Sequence, residues 1–488
     1  IVNGVLQREI DQNTYNIIGD ELAKRTKEES GSYVVDNFDI KFKENVDDNT
    51  KLTLEISPGI AYTNGYRVSK PVPTNITVNR SQTTTDVQEN INVPANFGNY
   101  VRVTDNKGLP DVGVSDFETY GLYTDSIGDL SLTGSKIGTA KVRSFEQEGT
   151  NYKYYLFDVS MKSGQNFRDA RALAVDSNNG ANLILENNIA VLKDAGNSNV
   201  FFDLPRTRPS DVGTSTSGLL DINLTVQRAF QDTTDGAGNV TLTVTGTETF
   251  VDTGLWIVAR TDTGAIITPN SITGSGTNSV TIDTSVTSTA IEIIGYVSRG
   301  SNAKHRTKTL SLDSDHTGAI ESDGAGLRFV TLPDVDIYQF KHILDADSVD
   351  ISSRVFTDNG QRDNFYQRGR VILKGGQSLP TGETIRTIYN HFEHGATGDF
   401  FSRNSYIGAV DYEDIPSHRL TNGFDVELRD VLDFRSVKDS VSSGFDGGDA
   451  IIHALPRNTD VITTDIRYYK SRKDILVATE YPDNPVVY

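Results

Sequence analysis

The sequence predicts a mainly β, multidomain protein, with several small antiparallel sheets, an immunoglobulin-like β-sandwich and a few short helices. Three observations lead there. The 488 residues exceed what one hydrophobic core ordinarily serves, which points to three or four domains. Only 36% are hydrophobic, against roughly 45–50% in an average globular chain, and Thr, Ser, Asp, Asn and 42 Gly fill the difference. Short runs alternating apolar with polar residues recur between Gly- and Asn-rich turns, the pattern of half-buried strands.

The first element is a helix over residues 13–29. Asn13 or Thr14 caps it, Ile17, Ile18, Leu22 and Arg25 fall on adjacent turns to pack one narrow face, and Ser30-Gly31 ends it. Alternation then begins, with Tyr33, Val35, Phe38, Ile40 and Phe42 reading as strands up to the turn at Ser57-Pro58-Gly59. Ala61-Tyr-Thr-Asn-Gly-Tyr-Arg67 holds an Asn-Gly pair between aromatics and predicts a hairpin. These elements make a first domain over 1–75.

A β-rich domain follows over 76–205, with a polar, Thr-rich start, alternation from Asn99, and an aromatic strand at Asn151–Ser160. Residues 206–305 read as the sandwich of seven or eight strands, among them Val240–Val244, Trp256-Ile-Val-Ala and Ile291–Val297. Residues 306–488 read as a β-rich assembly domain mixing strands such as Arg370–Leu373 with irregular Asp-, Asn- and Arg-rich segments. No fixed period of about 20–50 residues recurs, which counts against a β-helix or solenoid. The chain opens at Ile1 and closes in strand-like sequence at Pro485–Tyr488, which reads as two cut ends.

Charge and composition narrow the function. A net charge of −20, from 66 acidic and 46 basic residues, repels a phosphate backbone and argues against nucleic-acid binding. The chain has no cysteine, so neither disulfides nor Cys-ligated metals stabilise it. No stretch approaches the roughly 18 consecutive apolar residues of a membrane span.

Motifs that resemble catalytic sites are each better read as structure. Asp252-Thr-Gly254 and Asp262-Thr-Gly-Ala265 carry an aspartic-protease triplet, but copies this close together on alternating strands are successive turns. His391-Phe-Glu-His394 lacks the i, i+4 histidine spacing of a zincin and reads as a solvated turn before Gly395. Asp313-Ser-Asp-His-Thr-Gly318 starts like a calcium loop, but Gly324 falls where the bidentate Glu is required, so it reads as a plain loop. The single Trp256 lies in an apolar strand pattern and reads as sandwich core rather than a sugar platform. In Phe424–Arg435, a strand would set Asp425, Glu427 and Arg429 on one face and Phe424, Val426 and Leu428 on the other. That segment is either a strand with a solvated face or a buried network of Arg and carboxylates.

Four segments together resemble one family: Leu22–Tyr33, Asp358-Asn-Gly-Gln-Arg-Asp-Asn-Phe-Tyr366, Asp411–Pro416 and Asn422–Arg435; less distinctively, the sandwich around Trp256 followed by Lys304-His-Arg-Thr-Lys308 resembles a domain inside that family. The family is DUF4815, found in tailed phages including cyanobacterial myoviruses and regarded as virion proteins of the tail or baseplate. The resemblance implies structural or assembly roles for Arg25, Glu28 and Gly31, for Gly360, Arg362 and Asp363, for Asp414 and Pro416, and for Arg429, Asp430, Asp433 and Arg435. It implies no catalytic, cofactor-binding or metal-binding residue and hence no enzyme.

The leading expectation is a structural component of a contractile tail. It would be a baseplate wedge protein linking the central baseplate to peripheral fibres, oligomeric in the virion, made in the host cytoplasm and partnered by baseplate and tail-fibre proteins. A fibre-proximal protein recognising host glycan through the sandwich is the first alternative, and an envelope polysaccharide hydrolase the second.

Overall fold

A computed structural model describes residues 14–45, 51–79, 85–113, 117–194, 198–213, 222–299, 303–323, 326–379, 382–438, 444–445, 455–470 and 473. The protein is mainly β, built of many small antiparallel sheets with one closed barrel, and a single α-helix occurs among the described residues. The chain forms two compact units, Ile1–Asp86 with Tyr469–Tyr488, and Val87–Tyr468.

The first unit holds the helix Thr14–Ser30 and two three-stranded sheets. The helix stops where Gly31 turns to φ +69 and its N–H bonds back to the Lys27 carbonyl. The Asn-Gly hairpin forms as its sequence requires. Asn64 and Gly65 take φ of +53 and +86 between the strands Gly59–Thr63 and Tyr66–Lys70. A Cβ at Gly65 would stand 1.8 Å from the Ala23 carbonyl oxygen, so glycine is also what lets the hairpin reach the helix. That contact is narrow. Ala23 is buried, whereas Ile17, Ile18 and Leu22, expected to pack, are exposed.

In the second unit, six antiparallel strands between Tyr100 and Leu183 close into a barrel, a closure that alternation alone does not announce. The sandwich follows, with a five-stranded sheet centred on Ala290–Ser298 and a three-stranded sheet centred on Ser279–Asp283. The five-stranded sheet is buried on both faces. Val258 and Ile293 pack with Val240, Leu242, Val280 and Ile282 of the smaller sheet, while Ile257, Ala259 and Ile294 pack into the barrel core. This explains why Trp256-Ile-Val-Ala reads as a continuous apolar run instead of alternating.

Beyond residue 306, two more sheets share a core. One joins Lys308–Ala319, Thr384–His394 and Ile337–Leu344; the other centres on Arg328–Val335 and Arg368–Leu373. Val330, Val371, Ile343 and Ile385 pack between them. The calcium-like segment belongs to the first of these strands and is not a loop. Asp313 forms a bulge at φ +55, and Asp315 pairs with Arg386 across the ladder. His391–His394 likewise ends a paired, buried strand instead of making a solvated turn.

Residues 206 and 306 both lie inside the second unit, which distant segments stitch together. Phe201–Asp203 pairs with Val431–Asp433, Pro209–Val212 pairs with Asp460–Tyr469, and Phe365–Tyr366 runs parallel to Ser436–Val437. The barrel's most enclosed rings are Tyr120, Phe145 of the strand Lys136–Glu148 and Tyr154 of the aromatic strand Asn151–Met161, and Phe145 stacks on Tyr152 of that strand at 5.2 Å. Phe145→Ala should cost about 3–5 kcal/mol, seen as a lowered denaturant midpoint of the second unit.

Candidate functional site: a buried charge network

The side chains with the most distinctive chemistry meet where the C-terminal sheets join the segment Val431–Val437. Lys308 begins one strand, Asp336 occupies a left-handed turn at φ +51 between Arg328–Val335 and Ile337–Leu344, and His394 ends the strand paired with Lys308. Asp433 and Arg435 come from the motif segment, and Gln361 and Tyr366 from the segment Asp358–Tyr366. The side chains of Lys308 and Arg435 are 0% exposed, and those of Asp336 and Asp433 2%.

Burial at this depth demands that every charge be paired and every donor satisfied. The geometry meets that demand. The Lys308 ammonium donates to Asp336 Oδ2 at 2.6 Å and to the hydroxyls of Tyr366 and Tyr406, each at 3.0 Å. Arg435 donates from Nε and Nη2 to Asp433, from Nη1 to Gln361 Oε1 at 2.5 Å and to the Arg362 carbonyl at 3.1 Å, and from Nη2 to Tyr366 at 2.7 Å. All N–H donors of the guanidinium are thereby used. Tyr366 in turn donates to Asp433 Oδ2 at 2.6 Å, and Gln361 Nε2 donates to Asp336 Oδ1 at 2.5 Å. Two cations face two carboxylates, so the cluster is neutral.

Aromatic rings seal it. The Lys308 nitrogen lies 4.4 Å from the Phe401 ring centre and 4.6 Å from that of Tyr366, and the Arg435 guanidinium lies 3.9 Å from Tyr366. Burial lowers the Lys308 pKa against the attraction of Asp336. Burial pushes Asp336 up, but Lys308 and His394 outweigh it and hold the carboxyl below its ordinary range. Asp433 is held low in the same way, with Arg435 overcoming burial. His394 is lowered to about 4, chiefly by burial, so it is neutral near pH 7. Its Nε2 donates to Asp336 at 2.9 Å, and its Nδ1 is buried with no partner among the described residues.

Five of the residues singled out in the sequence converge here. Asp433 and Arg435 are the network's second ion pair. Arg362 grips Asp358 through two bonds of 2.9 and 2.6 Å and lends its carbonyl to Arg435, and Asp363 accepts from His418 at 3.0 Å. Gly360 turns at φ +81, where a Cβ would meet the Gln367 carbonyl at 1.9 Å, and so positions Gln361. The others lie elsewhere. Asp430 accepts from Arg208 N–H at 2.9 Å, Arg429 lies over the Tyr412 ring, Asp414 and Pro416 follow that ring on an exposed and a half-buried turn, and Arg25, Glu28 and Gly31 belong to the first unit.

The motif segment is therefore not one strand. Asp425–Glu427 is a short strand with Phe424 exposed beside it, Leu428–Asp430 is a 3-10 turn, and Val431–Asp433 is buried. The turn shifts the alternation, so charges that would share one face are split between surface and core.

Neither aspartic-protease triplet contributes to a shared site. Asp252 pairs with Arg457, Asp262 bonds Arg260 in a turn, and no group of metal-ligating side chains occurs among the described residues. Trp256 is buried against Phe250, its indole donating to the Val251 carbonyl, so no exposed platform is made of it.

Fold and network together define a class: a multi-sheet β protein whose second unit closes over a neutral, fully bonded ion cluster. Residues 1–129 match the model of a domain of unknown function, DUF4815. No curated protein and no solved structure matches the chain.

Two outcomes follow from the network. Arg435→Met strands a buried carboxylate and should cost about 3–5 kcal/mol of unfolding free energy, while Asp433→Leu combined with Arg435→Met should cost less than the sum of the two single changes. Denaturant titration of the wild type and the three variants reads both numbers. Acid should also act early. Because the folded pKa of His394 is depressed to about 4, its contribution is present above the ordinary histidine value of about 6.5 and is lost as pH falls from there towards 4. Denaturant midpoints measured across that window should fall less steeply for His394→Gln than for the wild type.

Proposed function

We propose that the chain is a structural component of a contractile phage tail, a baseplate wedge protein that links central baseplate to peripheral fibres and acts by assembly rather than turnover. The observation that carries this reading is the thin core of the first unit. Its buried apolar residues among those described are Ala23 and Leu54, whereas Ile18 and Leu22 of the helix and Phe42 and Val68 of the sheets are 46–71% exposed. So small a unit cannot bury enough apolar surface to offset its chain entropy alone, and exposed apolar clusters of this kind are covered by partners. In this reading the covering surface belongs to other tail subunits.

Two further features support it. The family model, residues 1–129, includes the first unit's stretch up to Asp86, and the quoted motifs resemble those of virion tail proteins. The second unit offers what a wedge needs, a body in which barrel, sandwich and C-terminal sheets share cores.

Leu22→Asp should weaken assembly without unfolding the chain. In sedimentation velocity at matched concentration, the wild type is expected to associate with itself or with co-expressed baseplate subunits, and the variant to lose that species while keeping its far-ultraviolet dichroism. Immunogold labelling of intact and contracted virions with an antibody to residues 206–300 tests the location. Label at the baseplate is expected, and label confined to fibre tips would overturn the wedge reading.

A further inference from the structure

We propose that Lys308 and Asp336 form an intramolecular isopeptide bond, an amide joining the two side chains across the core of the C-terminal half. This inference stands apart from the assembly reading and does not depend on it.

The pair is unlike the other lysine pairs of the described residues. Lys43 with Glu55, Lys153 with Glu148, Lys193 with Glu186, Lys341 with Asp313, Lys438 with Asp158 and Lys470 with Asp86 each leave at least one partner more than 20% exposed, whereas Lys308 and Asp336 are 0% and 2% exposed. Exposed ions keep their hydration, and an amide in their place would be open to water. A dry ion pair carries a large desolvation penalty on both members, which conversion to a neutral amide removes. The nitrogen and the carboxylate oxygen are already held at 2.6 Å, so the bimolecular cost of bringing the amine to the carboxyl is met by folding.

The surrounding groups match the needs of the reaction atom by atom. Within the hydrogen bond, one proton passes from the Lys308 ammonium to the Asp336 carboxylate, giving an amine and a carboxylic acid. Burial already draws the ammonium towards its neutral form. The amine lone pair attacks Cγ, and the new C–N bond leaves negative charge on Oδ1. Gln361 Nε2 donates to that oxygen at 2.5 Å, in the position of an oxyanion donor.

The surplus proton on nitrogen then moves to Oδ2. The 2.6 Å contact between the two atoms carries that transfer directly, and His394 Nε2–H supports the departing oxygen at 2.9 Å. The Cγ–Oδ2 bond breaks and Oδ2 leaves as water. Amine and acid give amide and water, nothing is oxidised or reduced, and no co-reactant is needed. Asp336 itself is fixed by its left-handed turn, and Lys308 by pairing with His394, so the bond would tie the turn after Arg328–Val335 to the strand Lys308–Ala319.

Intact-mass measurement of the purified, folded 488-residue chain, denatured just before analysis, tests this directly. The wild type is expected to weigh one water less than its sequence, and proteolysis is expected to release a branched peptide joining the fragments that contain Lys308 and Asp336. Lys308→Arg keeps the charge but lacks the nucleophilic amine, and is expected at its full sequence mass. Folded wild type at full sequence mass would overturn the proposal, and so would a lost water that maps to any other pair of residues. Both readings are taken on wild-type protein, so they hold even if the variant fails to fold.

Discussion

The second unit depends on the pairing of Lys308, Asp336, Asp433 and Arg435 in a space closed to water. Each ion alone would carry a desolvation penalty of several kcal/mol, and the penalty is met only if all four arrive together with their hydrogen-bond partners. The partners come from separate stretches: Gln361 and Tyr366 between the strands Val355–Asp358 and Arg368–Leu373 of the four-stranded sheet, Tyr406 on a 3-10 turn, and His394 at a strand end. The chemistry of the cluster therefore dictates that the strands around residues 308, 366, 394 and 433 assemble as a set.

Register follows from the same demand. Asp433 exchanges backbone hydrogen bonds with Phe401 at 2.7 and 2.8 Å, and Val431–Asp433 pairs with Phe201–Asp203. A slip of one residue in either ladder would turn Asp433 and Arg435 to the opposite face and strand their charges. An apolar core of equal volume tolerates such slips far better, because one aliphatic contact substitutes for another. The first unit shows the contrast. It lacks a buried ionic anchor among its described residues and exposes much of its apolar surface, so its shape leans on the Asn64-Gly65 turn and on the Tyr66 to Asp20 hydrogen bond.

Much of this was legible in the sequence, for identifiable reasons. Helix start and stop signals, the Asn-Gly hairpin and the strands of the sandwich rest on local turn chemistry and local periodicity, which the chain carries regardless of context. Trp256 could be placed in the core because its neighbours are apolar on both sides. Barrel closure was not legible, since it depends on which of six similar strands pair, and that is decided over distances longer than any local pattern. His391–His394 and Asp313–Gly318 looked like solvated segments because polar residues usually mark turns; here they are buried or laddered, their polar groups met by Asp334, Asp336, Lys341 and Arg386. The network was half visible. Asp433, Arg435, Gln361, Tyr366 and Lys308 all stood within quoted motifs, His394 stood in a segment read as a solvated turn, Asp336 carried no signal of its own, and only the fold brings them together.

That division also explains why a cluster with catalytic-looking components need not turn over a substrate. An active site requires a route by which a substrate reaches its reacting atoms, and here Phe401, Tyr366, Phe392 and Tyr406 ring the Lys308 nitrogen at 4.4–5.7 Å with no member of the ion pairs more than 2% exposed. The only carboxyl group that a Lys308 amine can reach is one supplied by the chain itself. Tuned acidity and an oxyanion donor in such an enclosure can act only on the protein that builds them, so the chemistry of the network and the stability of the frame are the same problem. A single event that neutralises Lys308 and Asp336 would remove the costliest charges from the core and fix the strands around them.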